Sequence, residues 1–380
     1  MKVMVFYLPQ FHETMENNRW WGKGYTEWVG VREARPLYPG HYQPTEPASD
    51  NYYDLTNPET LRWQAKLAKE NGIYGFCFYH YWFGRKLILE KPAQLLLENK
   101  DIRMNFCFSW ANETWKRTWS RQEGNSWNVV YDEGMPQQTQ GILMKQEYGD
   151  RSEWHDHFMY FLPFFQDERY IKVDHKPVLI LYKPREIKCL HAMLKMWNQL
   201  AVESGFAGLY IIATNDWDVQ NPYIEANVLF EPAYSVKNPT AWRSIVNEYV
   251  YKKREKGRKI PLIYSYSHTW EKILSRQIQS SRKTFLGGFV KFDKTPREGK
   301  NASLYLGASP EKFKKYFNRL VQMGKRMDHE FVFLNAWNEW GEGAYLEPDK
   351  KYGKKYLYAV RDVMRALDED YNWETENENN

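Results

Sequence analysis

The 380-residue chain has only three cysteines, Cys77, Cys107 and Cys189, all in apolar segments and none in Cys-x-x-Cys or His-associated spacing. An odd, unpaired set argues against a disulfide framework and reads as buried free thiols. Long hydrophobic runs are also missing. No stretch approaches the ~18–20 apolar residues of a membrane helix, and the opening "MKVMVFYLPQF" lacks the apolar run of roughly 7–15 residues and the cleavage site of a signal peptide. No transmembrane segment is therefore expected, and a cytoplasmic location is. Charge of one sign is scarce, 53 basic residues against 48 acidic ones giving a net +5. So weak an imbalance excludes the strong field of a nucleic-acid binder. The densest basic run, "KKREKGRK" (252–259), follows a helical pattern and reads as a solvated helix end, the other reading being a patch for an anionic lipid or sugar phosphate. Internal repeats and a Gly-rich phosphate turn after the first strand are absent as well.

Aromatics are abundant, at 17% with 17 Trp and 28 Tyr. Trp and Tyr join a flat apolar face to a hydrogen-bonding edge, which suits sugar rings; an aromatic-rich core is the plainer account of the surplus. Eight apolar runs of strand length occur at 3–9, 74–82, 103–110, 177–183, 209–214, 227–232, 285–292 and 330–337. They are continuous rather than alternating, as in parallel strands covered on both faces. Helical patterns separate most of them, at 57–72, 89–100, 152–165, 189–205, 240–257, 309–326 and 353–367. The alternation predicts an α/β fold, a single (β/α)8 TIM barrel over 1–367 with an acidic tail at 368–380 that frays. A ninth strand candidate, 261–270, reads as part of the connection before the seventh strand. Residues 13–56 and 111–150, rich in Pro, Gly and Trp, read as long βα loops at the C-terminal face, where barrels carry their sites.

Strand ends on such a barrel converge on one bowl. The candidate residues are Tyr7 with Gln10 and His12; His80, Tyr81 and Trp82; Trp110, Asn112 and Glu113; Tyr182 and Lys183; Asn215 and Asp216; Glu231; Asp293 and Arg297; and Asn335, Trp337, Asn338, Glu339 and Glu342. Any of them also serves as an ordinary rim residue. Glu339 and Glu342, in "NAWNEWGEGAYLEPD" (335–349), are the candidate catalytic pair, because glycosidic bond cleavage uses two carboxylates around one sugar carbon. Gly341 and Gly343 permit a tight bend that turns both toward one cavity. The alternative is two acids in a solvated turn, into which Trp337 and Trp340 fit poorly.

The motifs "FYLPQFH" (6–12), "NGIYGFCFYHYWF" (71–83), "LEKP" (89–92), "FSWANETW" (108–115), "FDKTPR" (292–297) and "NAWNEWGEGAYLEPD" resemble the WbsX-like family of bacterial surface-polysaccharide proteins. That family is similar to glycoside hydrolase family 99, the endo-acting α-mannosidases. The resemblance covers residues 1 to about 365 and implies a (β/α)8 barrel with its acids in a Glu-x-x-Glu segment after the last strand. It implies Glu342 as general acid/base for the leaving oxygen and Glu339 as the base that takes a proton from the sugar's 2-hydroxyl, giving a 1,2-anhydro intermediate. No metal or cofactor is implied. Gly341 replaces the His of the mannosidase segment Glu-Trp-His-Glu-Gly, and Lys294 stands where this family is expected to have Asn. Tyr7, His12, His80, Trp82, Trp110, Asn112, Glu113, Glu231, Asp293, Arg297, Trp337 and Asn338 are the expected substrate-binding residues, for an oligosaccharide or polysaccharide. A second reading is a glycosyltransferase of lipopolysaccharide or capsular polysaccharide assembly, to which the Asp-x-Asp of "NDWD" (215–218) would contribute a metal site. A third is a non-catalytic glycan-binding barrel. His155 and His157, two apart on a helical pattern, fall on different faces and read as surface residues rather than metal ligands.

Overall fold

The continuous apolar runs become the staves of a closed barrel. The structure, a computed structural model, describes residues 1–116, 141–216, 220–236, 253, 260–278 and 280–378, with side chains described as far as 367. Eight parallel strands, β1 (Lys2–Tyr7), β2 (Gly75–Phe83), β3 (Asn105–Trp110), β4 (Lys176–Leu181), β5 (Tyr210–Thr214), β6 (Ile224–Val228), β7 (Lys283–Phe289) and β8 (Phe331–Asn335), pair in sequence order. Closure is made by β1 with β8, Lys2 opposite Phe331 through Val5 opposite Leu334. With no free edge, every central residue faces either the barrel lumen or the outer helices, so β8 is buried throughout.

Helices Pro58–Glu70, Lys91–Glu98, Arg151–Gln166, Leu190–Glu203, Pro310–Arg326 and Lys355–Glu378 lie where the periodicity places them. Their starts follow capping chemistry: Asn57, Asp150 and Ser309 each accept a backbone N–H of the first turn, and Pro58 and Pro310 sit where no N–H partner is needed. One expectation needs correction. β6 begins three residues early and ends at Val228, leaving Leu229 to Pro232 beyond the strand, since Pro232 has no N–H to donate to a ladder. Residues 215–223, where the sequence shows no helical pattern, join β5 to β6 with no helix among those described. As expected, the 261–270 segment belongs to the connection before β7: it supplies a short strand, Leu262–Ser265, paired in parallel with Ser303–Leu306 outside the barrel, and then a helix, Tyr266–Leu274. The last helix runs from Lys355 to Glu378, and no Gly or Pro follows Gly353 to stop it.

The segment 13–56 is less irregular than its composition suggests, carrying helices Met15–Trp21 and Glu27–Glu33. In 111–150 the described ends form a short antiparallel pair, Trp115–Lys116 with Ile142–Met144. The helical pattern at 240–257 and the basic run at 252–259 lie, Lys253 apart, outside the described residues. No described helix is long and apolar enough to cross a membrane.

Candidate active site

β8 ends at Asn335, and the chain then turns through a small hairpin, Asn338–Glu339 against Ala344–Tyr345, with Trp340–Glu342 at its tip. Two buried side chains hold this hairpin. Asn338 accepts the Leu8 N–H at 2.8 Å and donates to the Leu8 carbonyl at 2.9 Å, clamping the end of β8 to the end of β1. Glu347 accepts from Trp340 Nε1 at 2.7 Å, Tyr53 Oη at 2.8 Å and Gln64 Nε2 at 2.8 Å, while the Trp340 ring stacks on Tyr345. Replacing Asn338 by Ala leaves two buried backbone groups unpaired, and a stability loss of roughly 1–3 kcal/mol is expected in denaturant titration.

So fixed, Glu339 and Glu342 face a cavity of about 370 Å³ at the C-terminal mouth of the barrel. Its aromatic lining comes from Trp21, Tyr25, Tyr79, Tyr81, Trp115, Tyr182, Phe230 and Phe292. Arg297 is the centre of the charged part. Its Nη1 donates to Glu342 Oε1 at 2.7 Å, its Nη2 to Glu339 Oε2 at 3.0 Å, and Nε and Nη2 both to Glu27 Oε1, at 3.0 and 2.6 Å. Lys294 Nζ adds a second cation 3.2 Å from Glu342. Through one guanidinium, the two catalytic candidates come within roughly 8 Å of each other, the span over which paired carboxylates act on one glycosidic bond.

The two acids differ in protonation. Burial pushes Glu339 up to about 8, against the pull of Arg297 and with the neighbouring Glu342 and Glu27 charges adding to the rise. Burial acts on Glu342 too, but Lys294 and Arg297 outweigh it and hold its carboxyl below the usual range. Arg297 is held charged by Glu27, Glu339 and Glu342 despite its own burial. The charges around the pair thus favour a proton on Glu339 over one on Glu342.

Of the residues expected from sequence, Gln10, Tyr81, Glu113, Tyr182, Arg297, Glu339 and Glu342 line the cavity. His80 and Trp82 do not. Side chains alternate along a strand, and on β2 it is Tyr79 and Tyr81 that face the cavity, while His80 and Trp82 point outward to the helix Arg151–Gln166. There His80 Nε2 meets His157 Nε2 at 2.8 Å, and Trp82 stacks on His157 and donates to Glu153. His157 is accordingly buried rather than on the surface. Trp110 takes the same outward parity on β3, packed on His157 and Trp197.

Tyr7 and Trp337 are wholly buried behind the cavity; Tyr7 donates to Gln64 Oε1. His12 is buried, and burial lowers its pKa. Asn112 ties the β3 end to β4, accepting the Lys183 N–H and donating to the Lys183 carbonyl. Glu231 is buried against Arg276 at 2.8 Å. Asp293 accepts from Gln43 and the Thr295 N–H, meets His41 Nε2 at 2.8 Å, and so fixes the turn that carries Lys294 and Arg297. Asp216 is gripped by Arg185 through both oxygens; Asp218 lies outside the described residues.

The residues missed are Glu27, Lys294 and the inward Tyr79. Strand parity is a signal that would have found Tyr79. No local signal marks Glu27, which reaches Arg297 across 270 residues of sequence. The role of Gly341 also needs revising. The bend is made by Gly343, at φ 61°, in the left-handed region that glycine tolerates. Gly341 provides space: a Cβ there would lie 1.8 Å from Glu27 Oε1.

Residues 3–360 match the family profile described as glycosyltransferase WbsX. The chain belongs to the WbsX glycosyltransferase family. Within reach of the same comparison is the uncharacterized protein WxcX of Xanthomonas campestris pv. campestris, 31% identical over 377 residues, 96% of this chain and 50% of that one. This WbsX-family chain therefore spans about half the length of the curated relative. Among solved structures it resembles a glycoside hydrolase family 99 endo-alpha-mannosidase from Bacteroides thetaiotaomicron, with TM-score 0.54 and 12% identity over 97% of this chain and 98% of the other. A glycoside hydrolase-like protein gives TM-score 0.56 and 15% identity over 95% and 93%. At such identities the likeness establishes the barrel fold.

Proposed function

We propose that this WbsX-family protein breaks α-glycosidic bonds in a bacterial glycan with retention, through a 1,2-anhydro sugar, using Glu339 and Glu342. The observation that carries the reading is the pair itself: two buried glutamates on one arginine, facing an aromatic-walled cavity at the barrel mouth. One carboxylate takes the proton of the substrate's 2-hydroxyl, and that oxygen attacks the anomeric carbon. The bond to the leaving oxygen breaks as the other carboxyl delivers its proton there. Water or a sugar hydroxyl then opens the anhydro ring, returning both protons to their starting groups. The motif match gives the acid role to Glu342, whereas the free site's electrostatics leave the proton on Glu339. The two assignments differ by one proton exchanged between carboxyls that share Arg297, so the pair acting with one proton is what the proposal claims. The route needs a free 2-hydroxyl trans to the leaving group, as in α-mannosides. Substrates 2-O-methylated or 2-deoxygenated at the reacting sugar are expected to be inert by reducing-end assay, and normal turnover of either would sink the mechanism.

The family description favours a second reading, transfer to a sugar acceptor. The same site supports it if an acceptor hydroxyl rather than water opens the anhydro ring. A nucleotide diphosphate donor fits less well, because the described lining carries Glu27, Glu113, Glu298, Glu339 and Glu342 against Lys116, Lys294 and Arg297, and Asp216 is already engaged by Arg185. Calorimetry with nucleoside diphosphate sugars is expected to show no binding; tight binding would reverse the ranking.

A further inference from the structure

Glu27 enters the site from the loop after β1, at the first turn of the helix Glu27–Glu33, far from either catalytic glutamate in sequence. Its Oε1 accepts both Nε and Nη2 of Arg297, a tighter hold than Arg297 has on Glu339. The guanidinium is thereby oriented: with Nε and Nη2 on Glu27, Nη2 also reaches Glu339 and Nη1 projects to Glu342. The helix bearing Glu27 is seated on the catalytic hairpin itself, since Trp28 packs against Trp340 at 5.4 Å and donates its Nε1–H to the Tyr53 carbonyl. Between the two catalytic residues stands Gly341, and a Cβ on it would collide with Glu27 Oε1 at 1.8 Å and approach Arg297 Nε at 3.2 Å. The carboxylate is the free end of a flexible side chain, but here it moves only by giving up both hydrogen bonds to Arg297.

We propose that Glu27 is a positioning residue of the catalytic pair, acting through Arg297 to set where the pair's proton resides, and that Gly341 is its obligate spatial partner. The proposal rests on Glu339 and Glu342 being the reacting acids. Glu27 places a third negative charge on a guanidinium that would otherwise serve two carboxylates. It weakens the pull of Arg297 on Glu339 and so favours the protonated form of that residue, while Lys294 keeps Glu342 ionised. The other ionisable groups around Glu339 are Tyr79 and Tyr81 from β2 and Tyr182 beyond β4. All three are held neutral well above their ordinary range by burial first, then by the acid charges.

A double-mutant cycle on the full chain tests this. Gly341→Ala is expected to lower kcat at least tenfold, because the new methyl expels Glu27 from Arg297. Glu27→Ala is expected to lower kcat to a similar extent and to move the alkaline limb of the pH profile to lower pH. In the Glu27→Ala background the added Gly341→Ala change is expected to cost less than twofold, since the methyl then occupies the vacated space. Additive losses would overturn the pairing, and an unmoved alkaline limb in Glu27→Ala would overturn the charge role. The titration of the buried protonated carboxyl, followed by infrared difference spectroscopy without substrate, supplies a readout that does not need activity. If Glu27→Ala lowers that midpoint and the cycle in melting temperature is non-additive while no glycoside is turned over, the functional reading fails and the positioning role stands. An unchanged midpoint with additive melting temperatures overturns the positioning role whatever the activity.

Discussion

Glu339→Gln and Glu342→Gln are each expected to lower kcat by roughly 10²–10⁴-fold on a natural glycan, because each removes one half of a proton-transfer pair. The two variants should part on an aryl glycoside with a good leaving group. Such a group departs without protonation, so the variant lacking the acid recovers activity and the variant lacking the base does not. The wild-type pH profile should be bell-shaped. On the acid side Glu342 takes up a proton and no base remains; as pH rises through about 8, Glu339 gives up its proton and no acid remains. The same shift has a sign for stability. Folded Glu339 keeps a proton that the unfolded chain releases at its ordinary value near 4.5, so its contribution is complete below that pH and is lost as pH rises through about 8. A flat profile across this range, or rescue of both Gln variants by the aryl substrate, would remove the pair from the chemistry.

Arg297→Met should be the most damaging single change to the fold around the site. The Met keeps much of the volume but leaves Glu27, Glu339 and Glu342 buried without the cation that all three share. Removing one partner from a buried ionic cluster costs roughly 3–5 kcal/mol, and here Lys294 compensates Glu342 alone. The loss should be smaller at low pH, where the orphaned carboxylates can protonate, and larger above neutrality. Urea titrations at acidic and alkaline pH check this, and a loss below about 1 kcal/mol at both would contradict the cluster described above. Activity should fall at least as far as in the Gln variants, because the shared guanidinium no longer holds the two acids in place.

Much of this was legible in the residues. Eight continuous apolar runs separated by helical patterns specify a parallel barrel, because a strand covered on both faces has no polar side to show. The pair Glu339 and Glu342, set among Trp337, Trp340 and two glycines, is a local pattern at a predictable strand end. The substrate-binding set was less legible. His80, Trp82 and Trp110 stand at strand ends, as expected, but a strand end has two faces, and the cavity takes Tyr79 and Tyr81 while the helix Arg151–Gln166 takes His80 and Trp82. Tyr7, Asn112, Asp293 and Asn338 are polar for the sake of the framework, tying strand ends and turns to one another.

By itself, then, the sequence determined the barrel and its family and put Glu339 and Glu342 just past the last strand, each encoded by hydrophobic period or by a motif contiguous along the chain. Only the tertiary structure decided which strand face meets the cavity, that one arginine holds three glutamates, and that Gly341 is small to admit Glu27. These last depend on contacts between residues as much as 270 positions apart. Charge and free volume at such a site are properties of what closes around a residue, and no local pattern carries them.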